Sequence, residues 1–358
     1  MAKIISFFNH KGGIGKTTTV HNLACALRSF DQRVLVIDSD PQMNLTAKIY
    51  GFSTTMEYTE QTGSKWRAYS QKYTSLDKIL YNIFRNEKQE ITVYKQNCGT
   101  GCLHLIPSSF NLAALESDIV DIIKRNNQLD KGKMYQVEKY FREKLGKEYD
   151  FILIDFSPSA SSLINALLMM MSDYFIIPTA PTIFCLQAIE NLENVFKNWS
   201  DALSAHKQTP TEVGLSYHPK FLGIIVSLVK RTTSKGKTHP TSGTRIWMEL
   251  VNSRIKNFYT YAIDVDRSIS EQQFKKLFTK FSPFIIDISY DFTLELRTKA
   301  ENLGKSEFDL DVSELPATPP SKRQDENGNK IFVHQYTETL NFIKETYSNI
   351  AQGLIKIK

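Results

Sequence analysis

A glycine-rich stretch between an apolar strand and an amphipathic helix constrains this fold more than any other feature of the sequence. Residues 4–8 form the predicted strand, and Val20, Leu23 and Leu27 repeat at helical spacing in the segment that follows. Such a turn, with a helix N-terminus behind it, directs unpaired backbone N–H groups at one point, where anions bind. We therefore predict a phosphate-binding loop made of Lys11, Gly12, Gly13, Ile14, Gly15, Lys16, Thr17 and Thr18.

Three residues of this loop match the general phosphate-loop pattern G-x-x-x-x-G-K-[ST]. Gly15 is its last glycine, Lys16 supplies the ammonium near the β- and γ-phosphates, and Thr17 supplies the hydroxyl for Mg²⁺. The first glycine of the pattern is missing, because His10 stands at that position. The sequence therefore departs from the general pattern at one end of the loop.

This departure has a counterpart in a known family. With Lys11 directly before the paired glycines, the segment resembles the deviant Walker A motif of the ParA/MinD-type ATPases, and it is closest to the Soj-like ParA partition ATPases. The resemblance implies that Lys11 of one subunit touches the phosphates in the partner's site, so that two subunits enclose two ATP molecules. ATP and Mg²⁺ are the cofactors that it implies. The similarity is close over residues 3–47 and 150–199 and weaker elsewhere.

Two carboxylates follow the next predicted strand, residues 33–37. Ligands of open parallel sheets bind at the carboxyl edge, so Asp38 and Asp40 are placed for chemistry. The segment resembles the family's D-x-D-P-Q motif. That resemblance implies that Asp40 orients and polarises the attacking water and that Asp38 has a supporting role linked to a switch. The alternative is that both aspartates only cap the following turn and helix.

A third predicted strand, residues 151–155, is continuously apolar and ends in an acid, as expected for a strand buried on both faces of a sheet. Asp155 is then the Walker B carboxylate. Since Mg²⁺ keeps most of its waters, Thr17 as a direct ligand and Asp155 through water would suffice to hold it. The following residues resemble the family's D-x-P-P-S switch, with Ser157 in place of one proline.

Strands that alternate with helical patterns predict a doubly wound α/β fold, with a mostly parallel sheet and helices on both faces. Further strands are predicted at residues 221–229 and 282–288. The resemblance implies a P-loop NTPase of the SIMIBI, ParA-like type. We expect an ATPase domain over residues 1–311, with insertions near residues 53–75 and 118–146.

The last part of the chain has two predicted segments. Residues 312–330 contain three prolines and an Asn-Gly-Asn sequence, which indicates a loop or linker, and residues 331–358 should form a helix. The apolar positions of this helix repeat at intervals of four and three residues: Tyr336, Leu340, Ile343, Tyr347, Ile350 and Leu354. We expect the helix to dock on the same domain, and a dimer contact is the alternative.

Basic residues are concentrated between residues 230 and 280. That segment has eleven Lys or Arg and four Asp or Glu, whereas the whole chain has a net charge of +6. A basic surface beside aromatic residues suits contact with the phosphate backbone of DNA, and the resemblance implies non-specific DNA binding as well. The alternative is an ordinary solvated face. The predicted DNA-binding residues are Lys230, Arg231, Lys235, Lys237, Arg254, Lys256, Lys275 and Lys276.

The function implied by the resemblance is a nucleotide switch. It would form a homodimer with ATP, bind DNA non-specifically, and position or partition a plasmid, a chromosome or another cargo. A ParB-like or other partner protein would stimulate hydrolysis. The alternatives are a MinD-like ATPase on a membrane, for which residues 353–358 offer only a faint amphipathic helix, and a metabolic P-loop ATPase that acts on a small molecule.

Composition favours a cytoplasmic protein, associated with the nucleoid if it binds DNA. The sequence shows neither a leader peptide nor an apolar run of about twenty residues, the length that spans a bilayer. Four cysteines are too few and too scattered for a disulfide framework, and no histidine pair accompanies them at the spacing of a zinc site.

Overall fold

A computed structural model of the chain describes residues 1–51, 72–85, 87, 90–96, 101–125, 135–202, 219–234, 237–279, 283–290, 294–315, 321–324, 330–333 and 336–357. Most of the predicted insertion near residues 53–75, part of the one near 118–146, and the candidate Lys235 lie outside the described residues. On either side of residues 126–134, the described parts of the second insertion are helical.

The described strands, in chain order, are β1 (Lys3–Phe7), β2 (Arg33–Ser39), β3 (Tyr94–Gln96), β4 (Cys102–Ile106), β5 (Phe151–Phe156), β6 (Tyr174–Thr179), β7 (Lys220–Val229), β8 (Arg231–Ser234), β9 (Lys237–Pro240), β10 (Ile285–Tyr290), β11 (Ser321–Gln324) and β12 (Lys330–Val333). Eight of them form one sheet in the order β10-β7-β6-β1-β5-β2-β4-β3. All pairs in this sheet are parallel except β3–β4.

The described helices of seven residues or more are α1 (Lys16–Ser29), α2 (Asn44–Tyr50), α3 (Leu76–Arg85), α4 (Asn111–Arg125), α5 (Leu163–Met170), α6 (Ile183–Ala202), α7 (Ser242–Asp264), α8 (Glu271–Leu277), α9 (Leu294–Leu303) and α10 (Thr337–Ile355). None of these described helices is both long enough and apolar enough to cross a membrane. The predicted doubly wound, mostly parallel α/β fold is confirmed.

The central strands and α1 form the core because the strands are apolar along their length and α1 carries an apolar stripe. Every residue of β5 is buried, as expected for a strand covered on both faces. On α1, Val20, Leu23 and Leu27 are completely buried against the sheet. The consequence is that the loop between β1 and α1 is held at both of its ends by buried elements of the core.

One segment differs from the sequence prediction. The expected loop over residues 312–330 is wrong at β11, which pairs with β12 as an antiparallel hairpin. The four residues of β11, Ser-Lys-Arg-Gln, are all polar, and the ladder needs only backbone donors and acceptors, so the apolar pattern gave no signal for this strand. The predicted C-terminal helix consequently begins at Thr337 rather than at residue 331.

Helix α10 packs on the body of the fold, against α1 and α8. Its six predicted apolar positions are all buried. A close approach occurs at Gly353, where an added Cβ would lie 2.4 Å from the ring of Phe278, the residue that ends α8. Only glycine lets this ring lie directly against the helix.

Candidate functional site

The phosphate loop joins β1 to α1 at the carboxyl edge of the sheet. Gly13 and Gly15 have φ angles of 72° and 82°, in the left-handed region that glycine adopts without strain. Helix α1 begins at Lys16, and its first turn has neither a side-chain cap nor an acidic residue. Its first N–H groups are therefore available to an anion.

Space for such an anion exists above the loop. A Cβ added at Gly12 or Gly13 would meet no atom within 4 Å among those the structure describes. At Gly15 it would meet only the side chain of Ser227, at 3.5 Å. The backbone of the loop thus borders open space, as a phosphate cradle requires.

Asn9 holds the loop in position, and the sequence analysis missed it. The side chain is fully buried. Its amide nitrogen donates to the carbonyl oxygen of Pro178 on β6 at 2.8 Å, and its carbonyl oxygen accepts the N–H of Lys11 at 3.0 Å. The position of Asn9, between a buried strand and the glycines, was the only signal, because its partner on β6 is 169 residues away.

The two lysines of the loop are placed differently. Lys16 is 7% exposed, and its ammonium donates to the carbonyl oxygen of Lys11 at 3.3 Å. Burial lowers the pKa of Lys16, while the charges of Asp155 and Asp40 act in the opposite direction. Lys11 is exposed, and its Nζ lies 4.7 Å from the centre of the Phe184 ring. Lys16 thus faces the acids of the site, and Lys11 lies at the surface.

Asp38 and Asp40 are tied together at the end of β2. Asp38 is fully buried and accepts three hydrogen bonds: from the N–H of Asp40 at 3.0 Å, and from the N–H and hydroxyl of Thr46 at 2.8 and 2.7 Å. Burial nevertheless raises the pKa of Asp38 to about 6. These bonds fasten α2 to the sheet, which fits both alternatives weighed for Asp38, a cap and a support for the Asp40 loop.

Asp40 itself is less fully bonded. The carboxylate is 6% exposed, and its Oδ1 accepts the N–H of Gln42 at 2.9 Å. Its Oδ2 has only a long contact of 3.5 Å with the side-chain nitrogen of Asn44. One oxygen therefore remains able to accept a proton donor such as a water.

Asp155 stands opposite Asp38 on neighbouring strands, in register between β5 and β2. It is 1% exposed, and neither carboxylate oxygen makes a hydrogen bond of normal geometry to a described residue. Burial, and then the charge of Asp38, raise the pKa of Asp155 to about 8, and Lys16 and the Thr17 hydroxyl oppose this shift. A buried carboxylate in this state favours a cation beside it.

These groups fit a magnesium ion. Carboxylate and hydroxyl oxygens are ligands that Mg²⁺ accepts, and it needs few from the protein because waters and phosphates complete its shell. Within the described parts of the chain, no cluster of three or more His, Cys, Asp or Glu is arranged to hold a metal. Thr17 and Asp155 supply one hydroxyl and one carboxylate, which are donor types that Mg²⁺ accepts.

The predicted DNA-binding residues are distributed over three elements. Arg231 and Lys237 lie on the β8–β9 hairpin, and the exposed Lys230 directly precedes it. Lys275 and Lys276 are exposed in the last turn of α8, where Lys275 pairs with Glu271 at 2.6 Å.

On α7, the structure does not bring the two predicted residues onto one side. Residues two apart on a helix leave it about 200° apart, so Arg254 and Lys256 lie on opposite flanks of the buried stripe that contains Ile255. Arg254 also pairs with Glu190 on α6 at 2.6 Å. Lys256 is exposed, and the described residues offer it no ion pair.

Comparisons of the sequence with known proteins identify relatives of the first half of the chain. The family model AAA_31, described as an AAA domain, matches residues 2–208. An uncharacterized protein of Methanocaldococcus jannaschii, MJECL24, is 32% identical over 188 residues, which are 52% of this chain and 62% of that protein. The sporulation initiation inhibitor protein Soj of Bacillus subtilis is 30% identical over 198 residues, 55% of this chain and 66% of Soj. The matched region thus spans less than two thirds of either relative.

Solved structures share the fold over nearly the whole chain. McdA of Cyanothece, in a variant complex with ATP, superimposes with a TM-score of 0.58 at 14% identity, covering 100% of this chain and 98% of that one. The ParA of pNOB8 bound to nonspecific DNA superimposes with a TM-score of 0.53 at 18% identity, covering 99% and 98%. At these identities the likeness concerns the fold alone.

Proposed function

Since this chain belongs to the AAA_31 family of ParA/MinD-like P-loop domains, we propose that it is an ATPase that acts as a nucleotide switch. ATP brings two protomers together, the dimer binds DNA non-specifically, and hydrolysis stimulated by a partner protein releases it. In this way the protein positions or partitions a cargo. The proposal rests above all on one observation: a glycine loop bordering open space carries the buried Lys16 and the exposed Lys11. Two buried acids, Asp38 and Asp155, lie in register on β2 and β5 at the same edge of the sheet.

In the proposed site, the loop N–H groups and Lys16 hold the β- and γ-phosphates. Thr17 and Asp155 would hold Mg²⁺, which when bound neutralises part of the charge on the triphosphate. The raised pKa of Asp155, about 8, means that a cation must displace a proton from it near neutral pH. Phosphoryl transfer depends mainly on positioning and charge stabilisation, and these groups supply both for the triphosphate.

Asp40 is proposed to orient the attacking water. The oxygen that has only the long contact to Asn44 is the one available for this. The N–H bond from Gln42 and the bond that Asp40 donates to Asp38 fix the loop backbone around it. Asp38 is accordingly proposed as a positioning residue that acts through Asp40.

Lys11 is proposed to complete the neighbouring site in the dimer. Its side chain is exposed, while its N–H and carbonyl are bonded by Asn9 and Lys16. The base of the residue is thus fixed and its ammonium can reach a second protomer. Hydrolysis by an isolated protomer should be slow, because part of the charge stabilisation is then absent.

DNA binding is supported by exposed cations directly before the β8–β9 hairpin, on α7 and on α8. Lys230, Lys256 and Lys276 are exposed. The membrane alternative is less well supported, because Leu354 and Ile357, which would have to enter a bilayer, are buried against the protein.

The dimer is tested with the Asp40→Ala variant, which should bind ATP without turning it over. Light scattering after size-exclusion chromatography with ATP and Mg²⁺ should give the mass of two chains. Adding Lys11→Ala to this variant should return the mass of one chain while leaving ATP bound. A single-chain mass for ATP-loaded Asp40→Ala would refute the proposed dimer.

DNA binding is tested separately, by retention of duplex DNA at moderate salt with and without ATP. The Asp40→Ala protein should retain DNA only with ATP. Equal retention in both conditions would refute a switch that ATP controls.

A further inference from the structure

A cavity of about 330 Å³ lies beside the Asp40 loop, away from the phosphate loop. Its walls come from α2, from the start of α3 and from the loop between β4 and α4. Asp77 is the only acid and Lys78 the only base among the described residues that line it. Phe110, 73% exposed, stands at its mouth.

Asp77 and Ser108, in the walls of this cavity, each have a side-chain oxygen without a hydrogen bond to the described residues. Asp77 is 7% exposed and Ser108 is 2% exposed. Neither the Oδ1 of Asp77 nor the Oγ of Ser108 has a hydrogen-bond partner among the described residues. The N-terminus of α3 explains why an acid is tolerated at Asp77. It does not supply the missing donor, and an unbonded buried carboxylate oxygen carries a cost that a ligand with N–H groups would remove.

We propose that this cavity binds a cationic nitrogen group, an ammonium or a guanidinium, which donates to Asp77 and Ser108. The sign of the charge follows from burial. Asp77 is buried, where charges interact strongly, whereas Lys78 is exposed, where water and salt screen it. The exposed Phe110 ring can move to admit the group and can then cover it with a face that attracts cations.

The cavity is connected to the Asp40 loop through hydrogen bonds. The N–H of Ser108 donates to the hydroxyl oxygen of Thr46 at 3.1 Å, and that hydroxyl donates to Asp38 at 2.7 Å. Asp38 in turn accepts the N–H of Asp40 at 3.0 Å. Occupation of the cavity should therefore change the rate at which Asp40 acts, a step that rests on the proposed function.

The loop between these groups is also under backbone strain. Met43, which lines the cavity, has a φ of 60°, in the left-handed region that non-glycine residues seldom adopt. It lies between Asp40 and Asn44, the first residue of α2. Strain of this kind is stored at functional loops, and a ligand in the cavity that Met43 lines would act directly on it.

The binding step is tested by calorimetry on the full chain without nucleotide, so that its failure is distinct from failure of the proposed ATPase. The probes are spermidine and the peptide acetyl-Gly-Arg-Gly-amide, and the neutral control is the same peptide with citrulline. At least one cation should bind, and the citrulline peptide should not. Binding of the peptide alone would assign the site to a basic side chain of a partner, and binding of spermidine alone would assign it to a free polyamine. Absence of binding by both cations would overturn the proposal.

Single-residue variants test whether the cation binds in this cavity. Asp77→Asn keeps the shape of the side chain and should weaken binding at least tenfold, whereas Lys78→Gln should tighten it a few-fold. Glu87→Gln is the matched control, because Glu87 is an exposed acid just beyond α3 and does not line the cavity. Equal weakening by Asp77→Asn and Glu87→Gln would overturn the site. Binding without any change in the rate of ATP hydrolysis would overturn the coupling alone.

Discussion

The phosphate-loop site and the basic segment at residues 230–280 are built in opposite ways. In the first, Lys16, Asp38 and Asp155 are at most 7% exposed. In the second, cations such as Lys256 and Lys276 are exposed. The side chains of the first site are therefore held in position before any ligand binds, and a single substitution there should have a large effect. The second offers charge at a surface, where single contacts are weak and add up.

The largest effect is expected at the buried lysine. Lys16→Ala removes a cation that no neighbour can replace, so affinity for ATP should fall by about two orders of magnitude or more, as expected for lost charge-assisted bonds to phosphate. A fluorescent ATP analogue measures it by equilibrium titration. Lys11→Ala is the matched control in the same loop, and it should spare most of the affinity of a single protomer. Equal losses of ATP affinity in the two variants would contradict the separate roles of Lys16 and Lys11.

The next effect is expected at Asp40. Asp40→Ala should reduce the rate of ATP hydrolysis by about a hundredfold while ATP affinity stays near the parental value, since positioning of a water contributes on this scale. Phosphate release under saturating ATP measures the rate. Gln42→Ala keeps the N–H that bonds Asp40 and should change the rate little. Hydrolysis by Asp40→Ala at the parental rate would show that another group orients the water.

Smaller effects are expected in the basic segment. Replacing Lys256 and Lys276 together by Gln should weaken DNA binding at every sequence alike and reduce the salt dependence, by about one unit of slope per lost phosphate contact. Fluorescence anisotropy across a salt series measures both. Lys139 and Lys147, exposed on the segment before β5, are the charge-matched control pair. Arg254→Gln should matter less, because Arg254 already pairs with Glu190.

The smallest effect concerns stability and pH. The pKa of Asp155 is about 8 in the fold and 3.8 in its ordinary state. The folded protein therefore holds a proton that the unfolded chain has lost, and the free energy of unfolding falls as pH rises between these values. In Asp155→Asn this fall in the free energy of unfolding is absent, because the amide does not titrate. Without nucleotide and Mg²⁺, its Tm relative to the parent should rise by a few degrees from about pH 6 to about pH 8.

A control with the opposite sign is available at Asp150. Its bonds to Arg33 lower its pKa, so its stabilising effect is complete well below neutrality. Asp150→Asn should lower the Tm, and this loss should stay constant over the same pH interval. A parallel trend in both variants would mean that neither carboxylate controls the pH dependence.

The sequence allowed the phosphate loop, the acids at the ends of β2 and β5 and the parallel sheet to be predicted, because each depends on short stretches of chain. The spacing of apolar residues predicts a buried strand and the helix after it, and the spacing of glycines predicts the turn between them. Asn9 and Ser227 could not be found in this way. What they contribute depends on strands that only the folded sheet brings to the loop.

The basic segment shows the other limit. A count of charges indicated DNA but gave no surface, and it grouped Arg254 with Lys256 although helical geometry alone separates them. The polar strand β11 was missed for a related reason, because its pairing with β12 is made by backbone groups and leaves no apolar pattern in the sequence of β11. Composition predicts what a region could attract, and only packing decides which side chains share a face.

The contact between Gly353 and the Phe278 ring gives the surface that carries Lys275 and Lys276 an internal anchor. A methyl group at position 353 would push the ring, and α8 with it, away from α10. The orientation of those lysines could thus be altered from within the core while every charge on the outside stays the same. Gly353, a residue in the core, would then determine the orientation of Lys275 and Lys276 at the surface.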